Sequence, residues 1–419
     1  MKRVSILLLI VLYSFAASAQ IATIFGDEFK DGHTTQIGIT GDYDINSNAI
    51  TNQFTEKFYT GGHINNDLKN SVLNRIKNNN RIGGNINSGV FAAFKLDPYG
   101  KYKNTSIFFS VRDREHFDAQ FSKDLFKIGF YGNADYAGKT ADLSNFDLNL
   151  IKYQQIQVGL YSSKFDSVAR WGVGVSFLKG EQYLSIDAKK AELFTSADGQ
   201  FVNLNTQFSM TRSDTAHTGI TALNGYGASM DLFFEAPFKT PFGASKISTS
   251  VSDLGSIRFN NQTQTASQNS LLHYQGFQIN NLYDLRDSTI GKREKDSVKN
   301  IIAPFKKKAY SVTLPAIFDL AIETRLNRYF SLKEGIRYVF NANNKMLIYA
   351  KGTFFINRKW ILTSTFGYGG YGTFNYGIGT SVKLPKKFII RVGSNNLEGF
   401  IVPKKTTGQG AYFTLIKQF

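Results

Sequence analysis

Ala169-Arg170-Trp171-Gly172-Val173-Gly174-Val175-Ser176-Phe177 is the stretch whose reading decides the fold. Ala169, Trp171, Val173, Val175 and Phe177 alternate with Arg170, Gly172, Gly174 and Ser176, and strict period-two alternation describes a strand with two unlike faces. The pattern returns as Tyr226, Ala228, Met230, Leu232 and Phe234 against Gly225, Gly227, Ser229, Asp231 and Phe233. It returns again as Phe374, Tyr376, Ile378, Thr380, Val382 and Leu384 against Thr373, Asn375, Gly377, Gly379, Ser381 and Lys383. A soluble sandwich also alternates, so the second face has to discriminate. Here that face is mostly Gly, Ser, Thr and Asn, which suits a packed or hydrated lumen, while Trp171, Trp360, Tyr368 and Phe374 near strand ends suit interfacial aromatic girdles. A closed barrel also leaves no backbone edge unpaired, as a hydrocarbon environment requires.

Extending this reading along the chain gives strand candidates from 34–43 to 409–419, among them 84–96, 104–114, 123–132, 146–162, 168–178, 181–193, 270–280 and 309–323. The expected fold is an all-β, transmembrane antiparallel barrel of about 14 strands, with a range of roughly 12 to 18. Composition agrees. Hydrophobic residues make up 42% of the 419, and 37 Phe, 21 Tyr and 37 Gly favour strands and tight turns over helices. Mean hydropathy is −0.22, and no segment beyond the N-terminus approaches the run of about 18 apolar residues that a membrane-spanning helix needs.

The N-terminus reads as a secretory signal peptide. Lys2 and Arg3 precede an apolar run from Val4 to Phe15, and Ala17-Ser18-Ala19 fits the small-x-small cleavage rule. Cleavage between Ala19 and Gln20 would remove residues 1–19 and leave 20–419 as the barrel. With no cysteine in the chain, lipid attachment at a cysteine is excluded, and disulfides contribute nothing to stability. At the other end Ala411, Phe413, Leu415 and Phe419 share one face, and the last strand resembles the terminal signal read by the outer-membrane barrel assembly machinery. Lys417 interrupts that face, as a side chain snorkelling at the interface can.

Two segments depart from strand periodicity. Ile64, Leu68, Val72 and Ile76, with Leu73, fall on one helical face, so 64–80 is expected to be a short amphipathic helix, either a plug inside or beneath the barrel or an ordinary surface helix. Residues 281–308 are basic, lack period two and read as a long loop.

Catalytic and metal signatures are missing. Zero cysteines exclude thiolate sites, and His33, His63, His116, His217 and His273 show no metal-binding spacing. Gly132 to Thr140 has five residues between its glycines where a phosphate loop needs four. Arg112-Asp113-Arg114-Glu115-His116 is read as a solvated or headgroup-level rim. No cofactor and no enzymatic activity are expected. The net charge of +17 is dispersed, which argues for contact with the phosphates of outer-membrane lipids rather than with nucleic acid.

Val251-Ser252-Asp253-Leu254-Gly255-Ser256-Ile257-Arg258-Phe259, Tyr310-Ser311-Val312-Thr313-Leu314-Pro315 and Gly393-Ser394-Asn395-Asn396-Leu397-Glu398-Gly399 resemble an uncharacterised family of Bacteroidetes outer-membrane barrels. That family is similar to FadL-type lipid transporters and to the PorV and PorQ barrels. The resemblance covers the chain from roughly Leu223 onward; Phe259 stands where the family commonly has an indole. It implies fourteen strands, an N-terminal hatch and residence in the bacterial outer membrane. The leading functional expectation is a channel or transporter for small, hydrophobic molecules, with Arg170, Asp231, Glu235 and Lys383 as charged lumen-facing residues. The second is an accessory barrel for export or surface attachment, whose basic loop would bind a partner protein.

Overall fold

The computed structural model describes residues 35–96, 105–162, 169–275 and 305–419. Ala19, Gln20 and most of the 281–308 loop lie outside the described residues. Fourteen antiparallel strands close into a barrel: β1 (Gln36–Ser47), β2 (Asn79–Lys95), β3 (Thr105–Ser122), β4 (Phe146–Ser162), β5 (Arg170–Thr195), β6 (Gly225–Thr240) and β7 (Gly243–Phe259) form one half. The other half comprises β8 (Ile317–Arg325), β9 (Phe330–Val339), β10 (Lys345–Phe355), β11 (Trp360–Gly370), β12 (Phe374–Leu384), β13 (Phe388–Asn396) and β14 (Gly408–Gln418). Closure is by β14 against β1, in register from Gln36↔Gln418 to Asn46↔Gly408.

Every strand shows an apolar outward face. Val111, Ile156, Val175, Phe177, Ile348 and Phe366 are among its exposed side chains, and a band of this kind is stable only against lipid. The two ends differ. At the end that carries Gln36 and Gln418, turns such as 241–242, 326–329 and 356–359 are short; the opposite end carries the long connections 48–78, 123–145 and 196–224 beside two short turns, 340–344 and 371–373. Short turns mark the periplasmic side of bacterial barrels. Trp171 and Trp360 both sit one or two residues into their strands at the short-turn end, where amphipathic rings settle at an interface.

Beyond the wall at the long-loop end, β5 continues past a bulge opposite Lys152 and Tyr153 and pairs with a strand at Val202–Arg212. That strand pairs in turn with Gln264–Tyr274. The expected strands 168–178 and 181–193 are therefore one continuous strand, because Gly180 and the bulge let it bend without ending. The candidate at 270–280 overlaps a strand at Gln264–Tyr274, its last five residues lying outside the described residues, and 309–323 splits at Leu314-Pro315-Ala316 into Tyr310–Thr313 and β8.

Among the described residues, four α-helices decorate the long-loop end: α1 (Asn52–Thr60), α2 (Asn66–Leu73), α3 (Lys123–Tyr131) and α4 (Glu398–Ile401). The candidate strand at 123–132 is α3. Ser122 caps it by accepting from the Leu125 backbone N–H at 3.1 Å, and Asp124 sits in its first turn. Asn65 caps α2 in the same way through Leu68 N–H at 3.0 Å. The expected stripe of α2 is buried, but not in the lumen. Leu68, Val72 and Ile76 pack with Phe54 and Phe126 and with Phe121, against partly buried Ile82 and Phe146. Ile82, Phe121 and Phe146 belong to the outward parity of β2, β3 and β4, opposite to Asn87, Arg112 and Gln155. The helices thus form a cap on the outer flank of the rim rather than a plug.

Candidate functional site: the barrel lumen

The inward faces fill the barrel with three stacked layers. Nearest the short turns, Phe91, Phe108, Tyr161, Ile361, Ile389 and Ile416 make an apolar cluster, joined by Phe233 and Phe355. The inward glycines explain how such rings fit: a Cβ at Gly159 would collide with the Phe108 ring, and one at Gly38 with Phe91. The small face seen in the sequence is therefore largely a floor for aromatic rings from neighbouring strands.

The middle layer is charged and buried. Arg114 grips Asp253 through two hydrogen bonds, Nη1 to Oδ1 at 3.1 Å and Nη2 to Oδ2 at 2.7 Å. Arg112 lies 3.6 Å from the Asp231 carboxylate and donates to Gln157 Oε1 at 2.6 Å. Gln157 Nε2 donates to Asp231 at 2.7 Å, and the Asp253 backbone N–H donates to the same carboxylate at 2.8 Å. Gln155 bridges to Ser176 and Ser229. Two guanidiniums from β3 thus face two carboxylates from β6 and β7, a balanced set of the kind burial requires. Asp253 sits at φ +60, the left-handed region where Asp and Asn are tolerated better than most residues.

Above this layer, Ile151, Tyr153, Leu178, Ile257, Phe259 and Leu314 form a second apolar cluster. On the opposite side of the mouth, two turns reach across to β3. Asn343 donates from its backbone N–H and its Nδ2 to Asp118 Oδ1 at 2.9 and 2.6 Å. Tyr371 Oη meets His116 Nε2 at 3.3 Å, and His116 also contacts Asn85 and Asp118. Among the described residues no group of three or more His, Asp or Glu side chains is arranged to hold a metal.

Of the four residues named from sequence, the structure brings two together. Arg170 and Glu235 are register partners with a 3.4 Å ion pair, and Lys246 joins Glu235 at 3.4 Å. Asp231 belongs to the central layer. Lys383 is separate: it lies near the end of β12, where its backbone N–H donates to Lys359 O at 2.8 Å. With Asn357, Arg358, Lys359, Trp360 and Val382 it lines an open cavity of about 510 Å³ at the short-turn end.

Reading 112–116 as a solvated rim is corrected by the structure. Arg112, Arg114 and His116 are buried, while Asp113 and Glu115 face outward beside Lys152. The signal was available: Ser106, Phe108, Ser110, Arg112, Arg114, His116 and Asp118 keep period two well past the expected strand end at 114. Gln155, Gln157 and Asp253 were missed because uncharged or singly charged residues on a strand carry no distinctive spacing. At the last strand, Phe413 and Leu415 pair with outward Val392 and Ile390, Phe419 is exposed, and Lys417 Nζ lies 4.6 Å over the Phe388 ring.

Comparison with known proteins gives a family and a set of similar barrels. No curated protein matches the chain. Among solved structures, it is similar to the Ralstonia pickettii toluene transporter TbuX at 11% identity, covering 93% of this chain and 90% of that one with a TM-score of 0.43. A Pseudomonas aeruginosa FadL homologue follows at 9% identity, 91% and 89% coverage and a TM-score of 0.42. The translocator domain of the autotransporter NalP from Neisseria meningitidis shows 9% identity, 96% and 93% coverage and a TM-score of 0.35. Residues 34–394 match a single family across most of the barrel, and the chain belongs to that family, described as a family of unknown function, DUF5723.

Proposed function

We propose that the protein is an outer-membrane transporter that admits small apolar or amphipathic molecules. The observation that carries this reading is the inner surface. A diffusion porin has a polar, water-filled interior, whereas this lumen has apolar clusters on both sides of a neutralised ion-pair layer. Such an interior offers a hydrated sugar or ion no place to rest, but it can exchange side-chain contacts for contacts with an apolar solute. The ion-pair layer is then the constriction that must part during passage. Insertion into the membrane would follow signal-peptide removal at Ala19 and recognition of the last strand, with Phe413, Leu415 and Phe419 as its apolar determinants.

The test compares two solutes. Cells expressing the protein should take up a labelled aromatic hydrocarbon severalfold faster than cells lacking it, because a lipopolysaccharide leaflet otherwise retards such molecules. Proteoliposomes should swell no faster in an isotonic sugar than protein-free vesicles. Fast sugar-driven swelling without a gain in hydrocarbon entry would make the protein a general porin. No gain in either assay would return the accessory-barrel reading to the front.

A further inference from the structure

We propose that the open cavity at the short-turn end is a binding site for the phosphate headgroup of a membrane phospholipid. Of its six lining residues, Arg358, Lys359 and Lys383 are basic and none is acidic. Trp360 stands at its edge with its indole N–H donating to Thr380 Oγ1 at 2.7 Å, which fixes the ring plane. The position is that of a headgroup. The cavity lies in the turn between β10 and β11, at the end of the barrel assigned to the periplasm, immediately below the apolar band.

What adjoins the cavity favours a lipid over a soluble anion. Trp360, Val382, Ile390 and Leu415 are successive register partners across β11, β12, β13 and β14 on the outward face. They form an apolar row that starts at the cavity wall and runs along the barrel surface. A phosphate held by Arg358 and Lys359 would therefore leave its acyl chains lying on this row, so one molecule satisfies both the cationic cavity and the apolar strip. Arg supplies a forked donor matched to phosphate oxygens, and Lys a mobile point charge. The inference is independent of what passes through the lumen.

The test uses full-length protein carrying W171F, so that Trp360 is the single indole. Titration with phosphatidylglycerol in detergent micelles should change Trp360 emission saturably, and native mass spectrometry should show retained lipid. R358Q/K359Q should weaken that binding about tenfold, since each basic side chain beside an anionic headgroup region strengthens association several-fold. R328Q/K239Q removes the same charge from elsewhere on the same rim, and should change binding less than about twofold. Heat-modifiable migration on a gel verifies that each variant is folded. Equal weakening by both pairs would mean undirected rim electrostatics rather than a site. Competition by inorganic phosphate as effective as by the lipid would mean a soluble-anion site. Either result, or no weakening in R358Q/K359Q, overturns the proposal.

Discussion

Removing the Asp253 carboxylate should be among the most damaging single changes in the barrel. Its partner Arg114 has a side chain 9% exposed, Asp253 itself is 1% exposed, and the two share hydrogen bonds of 2.7 and 3.1 Å. In D253A the guanidinium loses both of those hydrogen bonds, retains Gln155 Oε1 at 3.3 Å and remains beside Arg112. Removing one partner of a buried ion pair costs about 3–5 kcal/mol, and alanine at φ +60 adds roughly 1–2 kcal/mol. D253N separates these terms. Asn tolerates the left-handed backbone and retains one acceptor, so its loss should be smaller, about 2 kcal/mol. In R114M/D253N the buried charge is gone from both sides, and stability should recover to within about 1–2 kcal/mol of the wild type. Urea titration of refolding into lipid vesicles, followed by the emission of Trp171 and Trp360, measures each value. If D253N loses less than about 0.5 kcal/mol, or if the double variant is merely the sum of its single losses, the ion pair does not hold the layer together.

Two further perturbations probe the faces and the cap. V175R, in the outward band, should cost about 2–4 kcal/mol in the same titration, and G159A on the inward face about 1–3 kcal/mol, because the Phe108 ring must shift; a silent G159A would mean the inner face is not packed. Glu398 in α4 is pushed above the ordinary glutamate range by burial, against the hydrogen bonds that its carboxylate accepts. The folded state therefore holds this proton more tightly than the unfolded chain, and the associated stability is present at acid pH and lost as pH rises through the raised value. The protection factors of residues 397–407, exchange rates taken relative to the intrinsic rate at each pH, should be higher near pH 5 than near pH 8, and E398Q, which keeps an acceptor for Tyr376 N–H, should abolish that difference in protection.

The barrel was legible because its outward face obeys one rule along its length: an apolar side chain at every second position, as in Trp171 to Phe177. The strand number was less sharply set: spacing admitted roughly 12 to 18, and the family resemblance supported fourteen. What escaped were places where period two is broken or shared. Lys123–Tyr131 contains enough Phe, Ile and Leu to mimic a strand, and only the Ser122-x-Asp124 start marks it as a capped helix. Strand β3 appeared to stop at Arg114 because alternating charges resemble a solvated end, although in a lumen they pair across the barrel. The site was less legible than the fold for a physical reason. Arg114 and Asp253 are 139 positions apart, and nothing local in either strand specifies a partner that only closure of the barrel brings within reach.

The same closure decides what blocks the lumen. The amphipathic segment around α2 has the composition of a plug, but its apolar stripe is already satisfied by Phe54, Phe126 and the outward Ile82. The lumen is instead occupied by the wall's own side chains and by Asn343 and Tyr371, which cross to β3. These alternatives predict opposite outcomes in planar bilayers. L68D/V72D should undock the cap by burying carboxylates among phenylalanines, yet leave single-channel conductance unchanged, since the strand residues it packs on, Ile82, Phe121 and Phe146, face outward. N343G/Y371A removes both cross-barrel contacts and the ring packed over Gly83, and should raise the frequency or size of conducting events. Heat-modifiable migration on a gel separates an opened barrel from an unfolded one. If L68D/V72D conducts and N343G/Y371A does not, the helix reaches the lumen in the working protein, and the cap arrangement is not its functional state.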